Sequence, residues 1–321
     1  MTKKLSKHQK TKVLKPKVTV QSSISSLDSL DNLSGPLTYG FTNDYMFRAV
    51  FQENKEALHG LLCALLDLSW EQIIQITILN PIILGEAINE KTIVLDLKIL
   101  LNDNRILDLE MQVANEGDWP ERSLYYLCQT FAQLPKGGVY KDLLPAMHIG
   151  ILSFSPIPEN PRFYAEYLMS DIKTHKIYSD KFALRMLDLS KINSLTNEEK
   201  QTDLYRWAKL FTATTWEEVK KLANEDSTIS KACFTLHEMT EDEKIREQCL
   251  ARMRYELDRN SAIRNGFDKG FSQGLEAGTE AGKSQLIFTL LESGMTLDEL
   301  SVRLKMPVDE IQKLTSSTPS K

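Results

Sequence analysis

Residues 95–112 read LDLKILLNDNRILDLEMQ, and their pattern decides the fold. Asn102-Asp103-Asn104 is turn chemistry between two apolar runs, because Asn and Asp tolerate left-handed backbone. A three-residue loop there pairs Leu101 with Arg105. It sets Leu97 against Leu109, Ile99 against Leu107 and Leu95 against Met111 as one continuous apolar face. The other face then carries Asp96 against Glu110, Lys98 against Asp108 and Val94 against Gln112. A two-residue loop would mix the faces, so the hydrophobic pattern selects the first register.

The polar face has a chemical consequence. Opposed carboxylates start only about 5 Å apart across an antiparallel pair, and in a cleft they repel unless a proton or a cation neutralises them. A hard divalent ion such as Mg²⁺ accepts oxygen ligands and keeps waters, one of which can act as a nucleophile. An Asp-Glu pair with a backbone carbonyl therefore suits phosphodiester hydrolysis. Gln112 lies two residues beyond Glu110, where its amide can orient the attacking water. The bland alternative is an exposed acidic hairpin with a weak Lys98–Asp108 surface pair.

Outward from the hairpin the texture is that of an α/β domain. Order is expected to begin near Gly35-Pro36, with Thr42 capping the short helix NDYMFRAVF and a second helix in KEALHGLLCALLDL. Strands are expected over 72–80, 92–100 and 105–113, a helix from Trp119-Pro120 to about Leu134, and a strand buried on both faces in PAMHIGILSF. FALRMLDL at 182–189 reads as a further strand. The domains expected are 1–35 as a disordered basic and Ser-rich leader, 36–190 as the α/β domain, 191–262 as an accessory helical region, 263–292 as a Gly-repeat helix and 293–321 as a small helical tail.

The chain has 321 residues, 42% apolar and 26% charged, which excludes a disordered or fibrous protein. Its net charge of −5 hides an asymmetry. Residues 1–27 hold seven lysines and no acid, leaving 32 of the 39 basic residues against all 44 acidic ones. If the protein works on nucleic acid, bulk electrostatics would not hold it there. The four cysteines lie far apart with no CxxC pair and read as reduced core residues. The five histidines lack the close spacing of a zinc or haem site. With no signal-peptide or membrane-spanning apolar run, a cytoplasmic protein without a membrane partner is expected.

Asp96, thirteen intervening residues, then Glu110-x-Gln112 resembles the PD-(D/E)XK nuclease superfamily in the variant where Gln replaces the final Lys. FTNDYMFRAVF at 41–51, ILDLEMQ at 106–112, RSLYY, GGVYKDLLPAMHIGILSF and the glycine repeat are similar to the recombination-promoting nuclease (Rpn-type), PD-(D/E)XK family transposase. The resemblance implies a restriction-endonuclease-like αβββαβ core and a Mg²⁺-dependent DNA endonuclease, with Mn²⁺ as the alternative ion, that promotes DNA recombination. Asp96 and Glu110 would be the metal ligands with the Met111 carbonyl, and Gln112 would stand in the lysine position. Asp44 is the expected extra acid, with Glu56 as competitor and a first-turn helix acid as its bland alternative. Because an amide supplies no charge, Arg122 or Lys136 is the candidate helping cation. Arg122, Tyr126 and Gln129 share a helix face that can look at the cleft or at phosphate, although Tyr126 is expected to pack on the sheet. A catalytically weak member acting in DNA binding or assembly is the alternative function.

Gly266, Gly270, Gly274, Gly278 and Gly282 recur every four residues. In a helix they would cost about 1 kcal/mol each relative to Ala. A stripe roughly 24 Å long would result, suited to close packing of another helix within the chain or across a homodimer. In 296–314, Thr296 caps one short helix and Pro307 opens a second. The acidic start VDEIQ argues for a packing or assembly element rather than a DNA reader.

Overall fold

A computed structural model of the chain describes residues 30–79, 82–83, 93–94, 96–134, 137–160 and 162–316. The basic leader up to residue 29, Leu95 and Lys136 lie outside the described residues. Order begins before Gly35-Pro36: Leu30 is buried, Lys220 donates to the Asp31 carbonyl, and Pro36 bridges to Thr215. An apolar side chain with a core site to fill anchors the chain ahead of the glycine.

Helices α1 (Asp44–Glu53) and α2 (Lys55–Leu66) come first. Asn43, not Thr42, caps α1, its side chain accepting from Met46 N. Asn54 ends α1 and caps α2, which explains the abrupt break between them. Strand β1 (Ile76–Ile78) is followed by a two-stranded ribbon of β2 (Ile82–Ile83) and β3 (Ile93–Val94), then β4 (Leu97–Leu101) and β5 (Ile106–Gln112). The ribbon interrupts the expected 92–100 strand, and Val94 pairs with Ile82 rather than with Gln112. Helix α3 (Trp119–Phe131) crosses to β6 (Ala146–Leu152), whose residues are all buried as expected of a central strand. β7 (Tyr164–Ser170) and β8 (Ile177–Asp188) complete a six-stranded mixed sheet of order β1-β4-β5-β6-β8-β7. The expected αβββαβ core is therefore present. β7, a partly exposed edge strand, went unread because its apolar residues do not alternate cleanly.

The β4–β5 register is the one the hydrophobic pattern selects: Leu97 pairs with Leu109, Lys98 with Asp108 and Ile99 with Leu107. Asn104 adopts φ 63°, and Leu101 N–H donates to the Arg105 carbonyl. Leu97, Ile99, Leu107, Leu109 and Met111 are buried. The end of α2 lies on this apolar face, where Arg185, beside Ile149 in the ladder, donates to the Leu65 carbonyl.

Helices α4 (Asp203–Thr212) and α6 (Ser227–Glu241) pack against α1 and α2 rather than standing apart, and α5 (Trp216–Ala223) packs against α4 and α6. Phe41, Phe47, Phe51, Trp207 and Phe211 form their shared aromatic core. Gly60 permits close approach of α6, since a Cβ there would sit 2.2 Å from the Thr228 hydroxyl.

Two compact units result, one up to Arg246 and one over Glu247–Lys321. The second contains most of α7 (Glu243–Glu292), which runs unbroken through residue 262, with α8 (Leu297–Leu304) and α9 (Val308–Ser316). Ile287, Leu300 and Ile311 close a small core there, and Thr296 caps α8 with Glu299 as its reciprocal partner. The five ladder glycines are helical, and a Cβ added at any of them would meet nothing within 4 Å. No close packing within the described chain accounts for them.

Candidate active site

Lys98, Asp108 and Glu110, on the second face of the hairpin, are buried on the side that α3 covers. Gly150, next to Glu110 in the β5–β6 ladder, is what lets α3 come down: a Cβ there would meet the Trp119 ring at 2.2 Å. Trp119 is buried and its indole N–H donates to Met186 Sδ at 3.2 Å. One turn later Arg122 reaches over β5, and its Nη2 donates to Glu110 Oε1 at 2.8 Å. Tyr126, a further turn on, is buried beneath the Arg122 guanidinium and packs as expected.

Asp96 occupies a bend immediately before β4, and its Oδ2 accepts the Met111 N–H at 2.9 Å. Burial pushes the Asp96 carboxyl well above the usual carboxylate range, and the Glu110 carboxylate beside it adds to the shift. The Met111 hydrogen bond opposes that shift, while Asp44 and Asp108 reinforce it. Glu110 is only 5% exposed, and burial raises its pKa against the opposing pull of His148 and Arg122. Asp96, Glu110, Asp44 and Asp108 thus share one electrostatic neighbourhood. Asp44, at the first position of α1, also accepts the Tyr45 N–H.

The other candidates are distributed differently. Gln112 lies on the same face and half-buried, but its amide donates to the Ala114 carbonyl at 3.0 Å. Gln129 is half-buried on α3, where its carbonyl accepts from Gln133. Glu56 pairs with Lys231 of α6 and plays no part in the cleft. Lys98 and Asp108 are not a surface pair: Lys98 is 5% exposed and donates to Gln133, and Asp108 is wholly buried. The roof formed by α3 turns an expected solvent face into an interior one.

Asp108 and His148 join this neighbourhood without being named by the sequence reading as site candidates. They are neighbours across β5 and β6, and Asp108 Oδ2 lies 2.6 Å from His148 Nδ1 with both side chains at 0% exposure. The available signal was one histidine inside the otherwise apolar strand AMHIGIL. Burial, the largest single influence, disfavours the imidazolium, but the charge and hydrogen bond of Asp108 and the charge of Glu110 together raise the His148 pKa.

Among the described residues no group of three or more His, Cys, Asp or Glu side chains is disposed to hold a metal ion. The donors fit a hard divalent ion in a sparser arrangement. The half-buried Asp96 carboxyl and the buried Glu110 carboxyl each make ionisation of the other less favourable, and Glu110 Oε2 has no hydrogen-bond partner among the described residues. Outside Arg122 an open cleft of about 500 Å³ is lined by Glu116, Asp118, Glu121, Tyr125 and Tyr126. A smaller hollow of about 220 Å³ lies on α1 beside Tyr45, Arg48 and Gln52.

No curated protein and no solved structure matches the chain. The profile of the PD-(D/E)XK nuclease family transposase matches residues 41–266, from just ahead of α1, through the whole sheet and into α7. With well over half its length so matched, and the expected sheet and helix order in place, the chain belongs to the PD-(D/E)XK nuclease family transposases, proteins of restriction-endonuclease-like fold.

Proposed function

We propose that the protein is a divalent-metal-dependent endodeoxyribonuclease that hydrolyses phosphodiester bonds and promotes DNA recombination. The observation that carries this reading is the joining of Asp96 to the Glu110–Met111 segment by one hydrogen bond, which brings the half-buried Asp96 carboxyl into the electrostatic neighbourhood of the buried Glu110. Asp96, Glu110 and the Met111 carbonyl would hold Mg²⁺, or Mn²⁺ in its place. When bound, such an ion supplies charge neutralisation and an activated water.

The chain's own residues do the rest. Arg122 grips Glu110 and supplies positive charge where Gln112 cannot. In this reading the half-buried Gln112 and Gln129 offer hydrogen-bonding groups to the substrate. Asp44 adds negative charge beside Asp96. Arg48 has no carboxylate partner among the described residues and lies one turn along α1 from Asp44, where a DNA phosphate can be met.

The test is incubation of duplex DNA and Mg²⁺ or Mn²⁺ with the wild type, Asp96→Ala and Glu110→Ala. Cleavage by the wild type alone supports the reading, and equal cleavage by all three overturns it. A second reading, a catalytically weak member acting in DNA binding or assembly, is favoured by the engagement of the Gln112 amide with Ala114. It predicts salt-sensitive DNA binding without cleavage in the same assay.

A second copy of the chain is the proposed occupant of the open glycine stripe of α7, where Ile263, Phe267, Phe271 and Leu275 are also exposed. No helix in the described residues is long and apolar enough to cross a membrane. A cytoplasmic location belongs to the same proposal and rests on the wide spacing of the four cysteines along the sequence, with no CxxC pair.

A further inference from the structure

The Asp108–His148 pair is not used by the chemistry above, yet its geometry aims at Glu110. The two side chains are wholly enclosed, the imidazole lying between Trp119 and Tyr126 at ring separations of 5.6 and 6.1 Å. Asp108 Oδ2 fixes the Nδ1 edge at 2.6 Å, so the Nε2 edge has one direction available. It faces Glu110 Oε2 at 3.8 Å. Among the described residues neither Nε2 nor Oε2 has a hydrogen-bond partner, although both are buried. The other Glu110 oxygen is already taken by Arg122 at 2.8 Å.

A buried ion pair is weak support for stability, because desolvation offsets most of its attraction. Two orphaned buried polar atoms facing each other add a further cost. An arrangement that serves the fold alone would close that gap. Site hydrogen bonds are often long in the unliganded state and tighten when the site is loaded. A small rotation of Glu110 brings Oε2 within reach of an Nε2–H donor.

We propose that His148, oriented by Asp108, is a positioning residue for Glu110. His148 from one side and Arg122 from the other take one carboxylate oxygen each and fix its plane, so that Glu110 meets a divalent ion in a single orientation. This rests on the reading of Glu110 as a metal ligand. The pattern is carboxylate to imidazole to ligand, the kind of outer support whose removal costs about 10–100-fold in metal affinity.

The experiment measures Mn²⁺ binding to the full chain by electron paramagnetic resonance, without DNA. His148→Leu fills the space without a donor, and His148→Gln restores an amide donor. Expected is a weakening of about 10–100-fold in His148→Leu, substantial recovery in His148→Gln, and no further loss when His148→Leu is added to Glu110→Ala. A folded His148→Leu that binds Mn²⁺ as the wild type does overturns the proposal. If His148→Leu does not fold, Asp108→Asn takes its place: weaker binding supports the proposal and unchanged binding overturns it. Mn²⁺ binding by Glu110→Ala equal to the wild type removes Glu110 as a ligand and takes the proposal with it. Loss in His148→Leu that persists undiminished in the Glu110→Ala background also overturns it, while leaving Glu110 as a ligand intact.

Discussion

Asp96 Oδ2 accepts the backbone N–H of Met111 at 2.9 Å, although the β4–β5 ladder begins only at Leu97. That bond holds a carboxyl beside Glu110 that has left the regular strand. Its burial is unfavourable to the ionised form, and the Glu110 charge increases the penalty.

Asp96→Asn is therefore expected to stabilise the metal-free protein at neutral pH while abolishing cleavage. The folded-state pKa of Asp96 lies above its unfolded value, so folding loses free energy as pH rises from about the unfolded value toward the folded one. Above that window the full penalty applies, and the neutral amide removes it. Thermal melts at pH 7 with a chelator should show a gain of about 1–2 kcal/mol, shrinking toward zero near pH 3. Equal stability of the two proteins at pH 7 would contradict the electrostatic account.

Arg122 is the charged partner of a nearly buried Glu110. Arg122→Ala should cost about 2–3 kcal/mol of stability and depress cleavage, because a hydrogen bond to a charged group is lost and Glu110 keeps its burial. Arg122→Lys should recover part of each. Urea titrations and single-turnover cleavage are the measurements.

Gly150→Ala forces a methyl group into the Trp119 ring and should destabilise by roughly 1–3 kcal/mol. Trimming the ring with Trp119→Leu in the same chain should return part of that loss. The checks are denaturant midpoints, with tryptophan fluorescence reporting the movement of Trp119 in the single variant.

Arg48→Ala should weaken duplex binding and lower the salt slope of log K by about one. Fluorescence anisotropy across a salt series reads both quantities. An unchanged slope would remove Arg48 from the DNA contact.

On α7, Gly270→Ala with Gly274→Ala should strengthen the helix by about 1 kcal/mol per site in a monomer. Where a second copy packs on that stripe, the added methyl groups instead weaken association. Analytical ultracentrifugation separates the two, since a monomeric wild type with no shift in the variant would dismiss the dimer.

The hairpin register, its Asn-rich turn, the buried β6 and the helix after Trp119 were legible because each rests on a local period or a turn residue. The helical 191–262 region was legible as helices, but its union with α1 and α2 was not, since contacts such as Gly60 with Thr228 join residues distant in sequence. The cap is Asn43 rather than the expected Thr42, because both are good capping residues and only the backbone direction distinguishes them.

The sequence by itself determined which strand residues share a face: Lys98, Asp108, Glu110 and Gln112 on one, Leu97, Leu109 and their neighbours on the other, because strand alternation is a local property. Tertiary structure alone decided that the polar face is interior. A single missing side chain at Gly150 admits Trp119, and α3 then covers Asp108, His148 and Glu110. Burial converts ordinary surface charges into groups that need partners, and no spacing along the chain records which helix supplies the cover.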